Sequence, residues 1–405
     1  MNNKNFNLTN FFKKKHLSFK DTKNFKLKSS NNIKKIIDNL NFKNNSFSSL
    51  SKNFLHNLKF NDLKKFNKFK KIAIIGMGGS ILGSEAIYCF LKKKIKKKLI
   101  FFDDVDSEKL EIFNKETNKQ KTLFIVISKS GNTVESLSNL LALKIIKKNA
   151  KNLIFISEKN KNILFSLSNK MNLYHVEHKN YIGGRYSVLS EVGMLPAYLM
   201  GLDIKKFRKK ILENVSLKNK IFLKNSSSIF ASLLIHKKIR NLIFFNYSPK
   251  LNKFLFWYQQ LVAESLGKNG KGFLPLISSA PKDHHSLLQL YLDGPKDKLF
   301  YIFSESEKKD KVIKTMNLDP KIKFLNNKSL ADIKTAQKNA VIKTFKKYKI
   351  PFREIKVKNF NEEALGQLFS YFILETALTG MIANINPFNQ PSVEQVKIIT
   401  NRILK

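Results

Sequence analysis

A chain of 405 residues is long enough for two domains or one large α/β unit, and 42% hydrophobic with 12% aromatic residues excludes a disordered polymer. The formal net charge of +45 invites a nucleic-acid reading, but arginine occurs only at Arg185, Arg208, Arg240, Arg353 and Arg402. Arginine is the usual reader of base edges and forked phosphates, so lysines scattered among Asn, Ile and Phe exclude a dedicated nucleic-acid binder and leave a general attraction for anions.

In chain order, residues 1–48 are low in complexity and read as short helices and loops around a core. From Lys71 the pattern sharpens. "KKIAIIGMGGS" is a strand running into a glycine turn, and "ILGSEAIYCFLKK" is a helix. "KKLIFFDDVD" is a strand, a helix follows over 107–118, and "KTLFIVISKS" and "KNLIFISE" are further strands with a helix between them. This alternation predicts a parallel sheet with helices on both faces. After a helical stretch over 187–235, a second alternation uses "RNLIFFNYS", "DKLFYIFSE" and the weaker "IPFREIKV". The segment "NEEALGQLFSYFILETALTGMIANI" is the longest helix signal, with Asn361 as N-cap and two acids in its first turn. It is apolar nearly all round and is expected to be buried. The chain therefore reads as two similar α/β halves, at 49–215 and 216–385, followed by a C-terminal helical segment at 386–405.

The single cysteine, Cys89, can form no internal disulfide. No run of about eighteen apolar residues appears, and the N-terminus carries no apolar signal core. A soluble cytoplasmic protein with no membrane and no nucleic-acid partner is expected. No His/Cys cluster has metal-ligand spacing.

Ligands of open parallel sheets bind beyond the carboxyl ends of the strands, and two loops fall there. "IIGMGGSILG" has Gly76, Gly78 and Gly79 with Ser80 behind them. A dinucleotide fingerprint would place its third glycine at Ile81, so an ordinary turn or another close backbone approach fits better. "SKSGNTVES" offers hydroxyls at Ser128, Ser130, Thr133 and Ser136, with Gly131 allowing a tight turn. Taken alone it is a turn or an anion site; after an apolar strand and before a helix N-terminus, a phosphate seat is the better reading.

That Ser-Lys-Ser-Gly-x-Thr-x-Glu loop resembles the sugar isomerase domain. The further stretches "GGRYSVLSEVGMLP", "QQLVAESLGKNGKG", "DHHSLLQLYLDGP" and "NPFNQPSVEQVK" stand in the order found in the glucose-6-phosphate isomerase family. The resemblance covers roughly residues 70 to 400. It implies two sugar-isomerase-type domains, each a mainly parallel sheet flanked by helices, with the C-terminal segment completing the active site. It also implies the reversible interconversion of glucose 6-phosphate and fructose 6-phosphate through an enediolate, with no cofactor and no metal.

Carried over motif by motif, the resemblance makes Glu264 the base that moves the proton. Its helix neighbours Trp257, Tyr258, Leu261 and Val262 are expected to desolvate it in part. Arg185, after two glycines, becomes the fixed cation for the enediolate. His285, in the His-Ser pair and not the adjacent His284, becomes the ring-opening group, assisted by Lys397. Gly79, Ser80, Ser128, Lys129, Ser130, Thr133, Ser136, Gly184, Gln260 and Gln390 become the sugar-phosphate-binding set. The family's histidine serves the neighbouring subunit, so a homodimer with shared sites is implied. A sensor that had lost its chemistry would lack the base, histidine and lysine together, and all three are present. An isomerase that also accepts mannose 6-phosphate would keep the same phosphate loop.

Overall fold

The computed structural model describes residues 1–12, 19–42, 44–306, 311–316 and 318–405, so part of the N-terminal reading (13–18 and 43) lies outside the described residues. Two five-stranded sheets organise them. The first is built from β2 (Lys71–Gly76), β3 (Lys98–Phe102), β4 (Thr122–Ile127), β5 (Leu153–Ser157) and β6 (Tyr174–Glu177), in the spatial order β3-β2-β4-β5-β6. Every pairing in it is parallel. All six residues of β4 are buried, as expected of a central strand covered on both faces.

The second sheet is built from β1 (Phe6–Phe11), β7 (Asn241–Asn246), β8 (Leu274–Ser279), β9 (Lys298–Glu305) and β10 (Phe352–Val357), in the order β1-β10-β9-β7-β8. β7 to β10 are parallel, whereas β1 adds to β10 in antiparallel register, Phe6 opposite Val357. The N-terminal segment is thus not helices and loops alone. Its alternation of Phe6 and Leu8 into the core with Asn and Thr outward makes an edge strand inside a composition that hides it.

Two other strands escape the pattern reading for physical reasons. β8 carries Pro275, which argues against a central strand; it pairs only with β7, and an edge tolerates the missing N–H. β6 is four residues long, three of them polar or amphipathic, and pairs only with β5.

The Glu362–Ile382 helix passes through the middle of the molecule. Asn361 caps it by accepting from the Ala364 amide at 2.8 Å, with Glu362 and Glu363 in its first turn. Its length and mean hydropathy of 1.2 would let it cross a membrane, but 94% of the relevant window is buried inside the protein. Across it lies the Asn252–Leu266 helix, which also packs on the Leu82–Leu91 helix that follows β2. That second contact fixes one half of the chain against the other, beside the carboxyl ends of β2 and β4.

Candidate active site

The loop after β2 turns through Gly78 at φ +53°, a conformation that L side chains rarely adopt. A Cβ on Gly78 would stand 2.7 Å from Nε2 of Gln260, and one on Gly79 would stand 2.3 Å from the carbonyl carbon of Gly184. Three segments distant in sequence meet here because two glycines leave room. Ser80 closes the turn, its amide donating to the Met77 carbonyl at 3.1 Å.

Arg185 follows Gly184 and is 2% exposed. Its Nε donates to Ser265 Oγ at 2.9 Å, and its Nη2 to the carbonyls of Pro387 at 2.6 Å and Asn389 at 3.1 Å. Tyr186 supports the same Ser265 hydroxyl at 2.8 Å. The remaining nitrogen, Nη1, donates to the Glu264 carboxylate at 3.0 Å and to the Gln390 side-chain carbonyl. Glu264 receives a second bond, from Gln260 Nε2 at 2.9 Å. Gln260, Glu264, Arg185, Gly184, Gly79 and Gln390 therefore form one connected cluster. A guanidinium held on three sides keeps its charge in place, and the carboxylate beside it remains 29% exposed.

The expected apolar wall around Glu264 is not what the carboxylate meets. Trp257, Tyr258, Leu261 and Val262 are buried in the hydrophobic core, while Glu264 sits at the margin of that face, with polar donors at both oxygens.

The "SKSGNTVES" loop leaves β4 as expected and leads into the Val134–Ala142 helix, with Thr133 at its N-cap. Gly131 has φ +66°, and an added Cβ would collide with Asn162 Oδ1 at 1.8 Å. The hydroxyls of Ser128 and Thr133 are 2.8 Å apart, and Ser130 Oγ accepts from the Asn132 amide at 3.3 Å. Ser136 Oγ is buried and has no hydrogen-bond partner among the described residues. Lys129 donates to the Asn180 carbonyl at 2.7 Å with Glu158 at 3.7 Å; burial, opposed by Glu158, lowers its pKa. Ser130 and Thr133 are the hydroxyls within reach of solvent, whereas Ser128 and Ser136 lie under the surface.

Two predicted residues stand apart. His285 ends the short turn Lys282–His285 and is exposed. His284 beside it is tied to Tyr247 through Nε2 at 2.7 Å, and burial with the neighbouring His285 pushes its pKa down. Lys397 lies on the Glu394–Ile403 helix, 59% exposed, paired to Glu394 of the same helix at 2.7 Å. The apolar run after His285 is mostly internal. Tyr291 is buried with Phe245 and Phe300, Leu287 and Leu288 pack against that cluster, and Leu290 alone is exposed at 47%. The run thus follows the inner face of its own sheet, with Leu290 turned outward.

One group escaped the sequence reading. Lys268, four residues after Glu264, donates to the carbonyls of Ser265 at 3.1 Å and Asn386 at 2.6 Å. Burial first and the Arg185 charge second lower its pKa to about 8. The signal was present as a lysine flanked by the turn "LGKNG", but a lysine in a chain with so many carries little weight alone.

Comparison with known proteins places this chain in a family. The family model described as phosphoglucose isomerase matches residues 28–274. The chain is 34% identical over 356 residues to Glucose-6-phosphate isomerase of Methanocaldococcus jannaschii, covering 84% of this chain and 86% of that one. It is 32% identical over 360 residues to the enzyme of the same name from Mycoplasmopsis synoviae, covering 82% and 81%. Among solved structures, a hypothetical protein of Thermus thermophilus superposes with a TM-score of 0.82 at 21% identity, covering 98% of this chain and 100% of that chain. A glucose-6-phosphate isomerase from Chlamydia trachomatis gives 0.71 at 18% identity, covering 85% and 71%; at such identities the likeness speaks for the fold. On the family model and the relatives together, the chain belongs to the phosphoglucose isomerase family.

Proposed function

We propose that this chain interconverts glucose 6-phosphate and fructose 6-phosphate, with Glu264 as the base and Arg185 as the fixed cation of the enediolate. The observation that carries the residue roles is the 3.0 Å contact between Arg185 Nη1 and Glu264. It keeps a proton acceptor and a permanent positive charge side by side, which is what an aldose-to-ketose proton shift needs.

In that shift Glu264 takes the proton from C2 of the open-chain aldose. The C–H electron pair becomes the C1–C2 double bond, and the negative charge collects on O1. Arg185, its guanidinium braced by Ser265 and the Pro387 and Asn389 carbonyls, stabilises that oxyanion. Returning the proton to C1, while the proton on O2 passes to O1 and O2 becomes the carbonyl oxygen, leaves the ketose, with no net oxidation.

The phosphate is assigned to the loop after β4, where Ser130 and Thr133 present hydroxyls at a helix N-terminus. Lys129, Ser128 and Ser136 support that loop, and Gly79, Ser80, Gly184, Gln260 and Gln390 surround the sugar. His285 and Lys397 are assigned to ring opening. Their exposure in the single chain fits a homodimer in which the ring-opening group serves the neighbouring site. Exposed apolar side chains support such an interface: Leu274 and Leu276 on edge strand β8, and Val396, Ile399 and Ile403 on the C-terminal helix. Phosphorylated sugars do not diffuse through bilayers, which supports a cytoplasmic setting.

A coupled assay converting fructose 6-phosphate to glucose 6-phosphate tests the activity. Turnover by the wild-type protein, lost in Glu264→Gln, is the expected result, and no turnover by the wild-type protein would remove the assignment.

A further inference from the structure

Beneath the first sheet, at the amino ends of its strands and so opposite the candidate active site, lies a cavity of about 670 Å³. Small-ligand sites commonly enclose about 300–1,000 Å³. Eight of its fourteen lining residues are lysine and none is acidic, whereas the whole chain has 70 lysines in 405 residues. A cavity beside Arg208 is as rich in lysine, but Glu213 lines that one, whereas no acid lines this one.

The lysines come from three segments that the sheet brings together. Lys68 and Lys70 lead into β2, and Lys119 and Lys121 lead into β4. The loop before β5 adds Lys144, Lys147, Lys148 and Lys151. Among the described residues no ion pair involves any of the eight. Lys119 is held by the Leu143 carbonyl at 2.8 Å, and Phe69, Ile145 and Ala150 form apolar floor between the charges. Elsewhere on the molecule basic residues do find acids, as Lys210 finds Glu213 at 3.1 Å. Here a concave surface gathers like charge with no counter-ion among the described residues, and such a surface concentrates anions.

We propose that this cavity is a binding site for a small anion carrying several linked phosphates, separate from the sugar-phosphate site. A single phosphate would meet only part of the lysine ring, while a chain of phosphates spans the three contributing segments. A long nucleic acid is the weaker fit, because the charges line a depression and not a continuous stripe. Two sources share this chemistry, a bare polyphosphate chain and a nucleoside triphosphate. Strands β2 and β4 run from this cavity to the two loops of the candidate active site, about 20 Å away for six residues of strand.

Isothermal titration with inorganic tripolyphosphate, at about 0.15 M salt to suppress diffuse attraction, is the direct test. The full chain is expected to bind tripolyphosphate in the presence of saturating fructose 6-phosphate. The triple variant Lys144→Gln, Lys147→Gln, Lys148→Gln should bind about tenfold more weakly, with isomerase kcat and KM unchanged. A control neutralising Lys28, Lys34 and Lys35 on the Phe19–Asn41 helix should bind as wild type. Adenosine triphosphate binding more tightly than tripolyphosphate would assign the nucleotide as source, and equal binding would assign the phosphate chain; adenosine alone should not bind. Complete displacement by fructose 6-phosphate, equal loss in the control, or binding of a single-stranded RNA but not tripolyphosphate would each overturn the proposal.

Discussion

Arg185 and Glu264 touch at 3.0 Å although they belong to opposite halves of the chain, one in the turn before the Glu191–Leu199 helix and the other near the end of the Asn252–Leu266 helix. The contact is possible because Gly79 lets the first half's loop lie against Gly184 and because Ser265 holds Nε of the arginine. The carboxylate and the guanidinium are set by packing, before any ligand arrives.

Glu264→Gln keeps the shape and leaves a side-chain oxygen for Arg185, so the fold should persist. Turnover should fall by at least roughly a hundredfold, the scale of a general-base contribution, with substrate binding largely retained. Steady-state kinetics with a thermal melt would separate the two, and near-normal turnover would take Glu264 out of the mechanism.

The assignment of phosphate to the loop after β4 makes a prediction that differs among its hydroxyls. Ser130→Ala and Thr133→Ala should each weaken phosphate and sugar-phosphate binding by about 1–3 kcal/mol, the range for a bond to a charged group. Ser136→Ala removes a buried hydroxyl that has no protein partner, so the free protein should melt at the same temperature or higher. Unchanged phosphate competition in the first two variants would make the loop a plain turn.

Shared sites can be read from mixing. His285→Ala and Glu264→Gln proteins should each be nearly inactive. After dissociation and random reassembly, half the dimers are mixed, and one of their two sites carries neither defect. Activity should return toward about a quarter of wild type. Full subunit exchange without recovery would mean that His285 serves its own chain.

Lys268 predicts a pH dependence. Its folded pKa of about 8 lies below the ordinary lysine value of 10.5, so between these values the unfolded chain holds the proton that the folded chain has lost. Stability from this group therefore rises with pH from about 8 upward. Relative to wild type, Lys268→Met should be more stable near neutrality, with the difference shrinking as pH increases through that window. Parallel melting curves across pH 7 to 9.5 would contradict it.

Arg353 of β10 and Glu375 of the Glu362–Ile382 helix are both fully buried and paired at 2.6 Å, and Arg353 Nε also reaches Asn10 of β1 at 2.7 Å. Glu375→Ala leaves a guanidinium charge in the core and should cost about 3–5 kcal/mol, read as a drop in denaturation midpoint.

Most of this architecture was legible in the sequence where local pattern and burial agree. β2, β4, β5, β7 and β9 are apolar runs covered on both faces, and Asn361 marks its helix by capping chemistry. What escaped lies at edges: β1 hides in Asn-rich sequence, β8 contains Pro275, and β6 is too short to show a period. At the site, glycine spacing and motif order drew attention to the residues that cluster, but not to what each would touch. Nothing local tells that Arg185 is braced by carbonyls of Pro387 and Asn389, some two hundred positions on. Lys268 was invisible because lysine is the commonest background here.

The Glu362–Ile382 helix has no face that belongs in water. In the native protein this is harmless, since helices from both halves enclose it. Once the chain opens, 21 residues with the apolarity of a membrane-crossing segment enter solvent together. Two unfolded chains can bury that surface against each other faster than either rebuilds the shell around it. Heating should therefore end in aggregates and not in a reversible transition, and the lifetime of the enzyme at high temperature is set by how often this helix is uncovered.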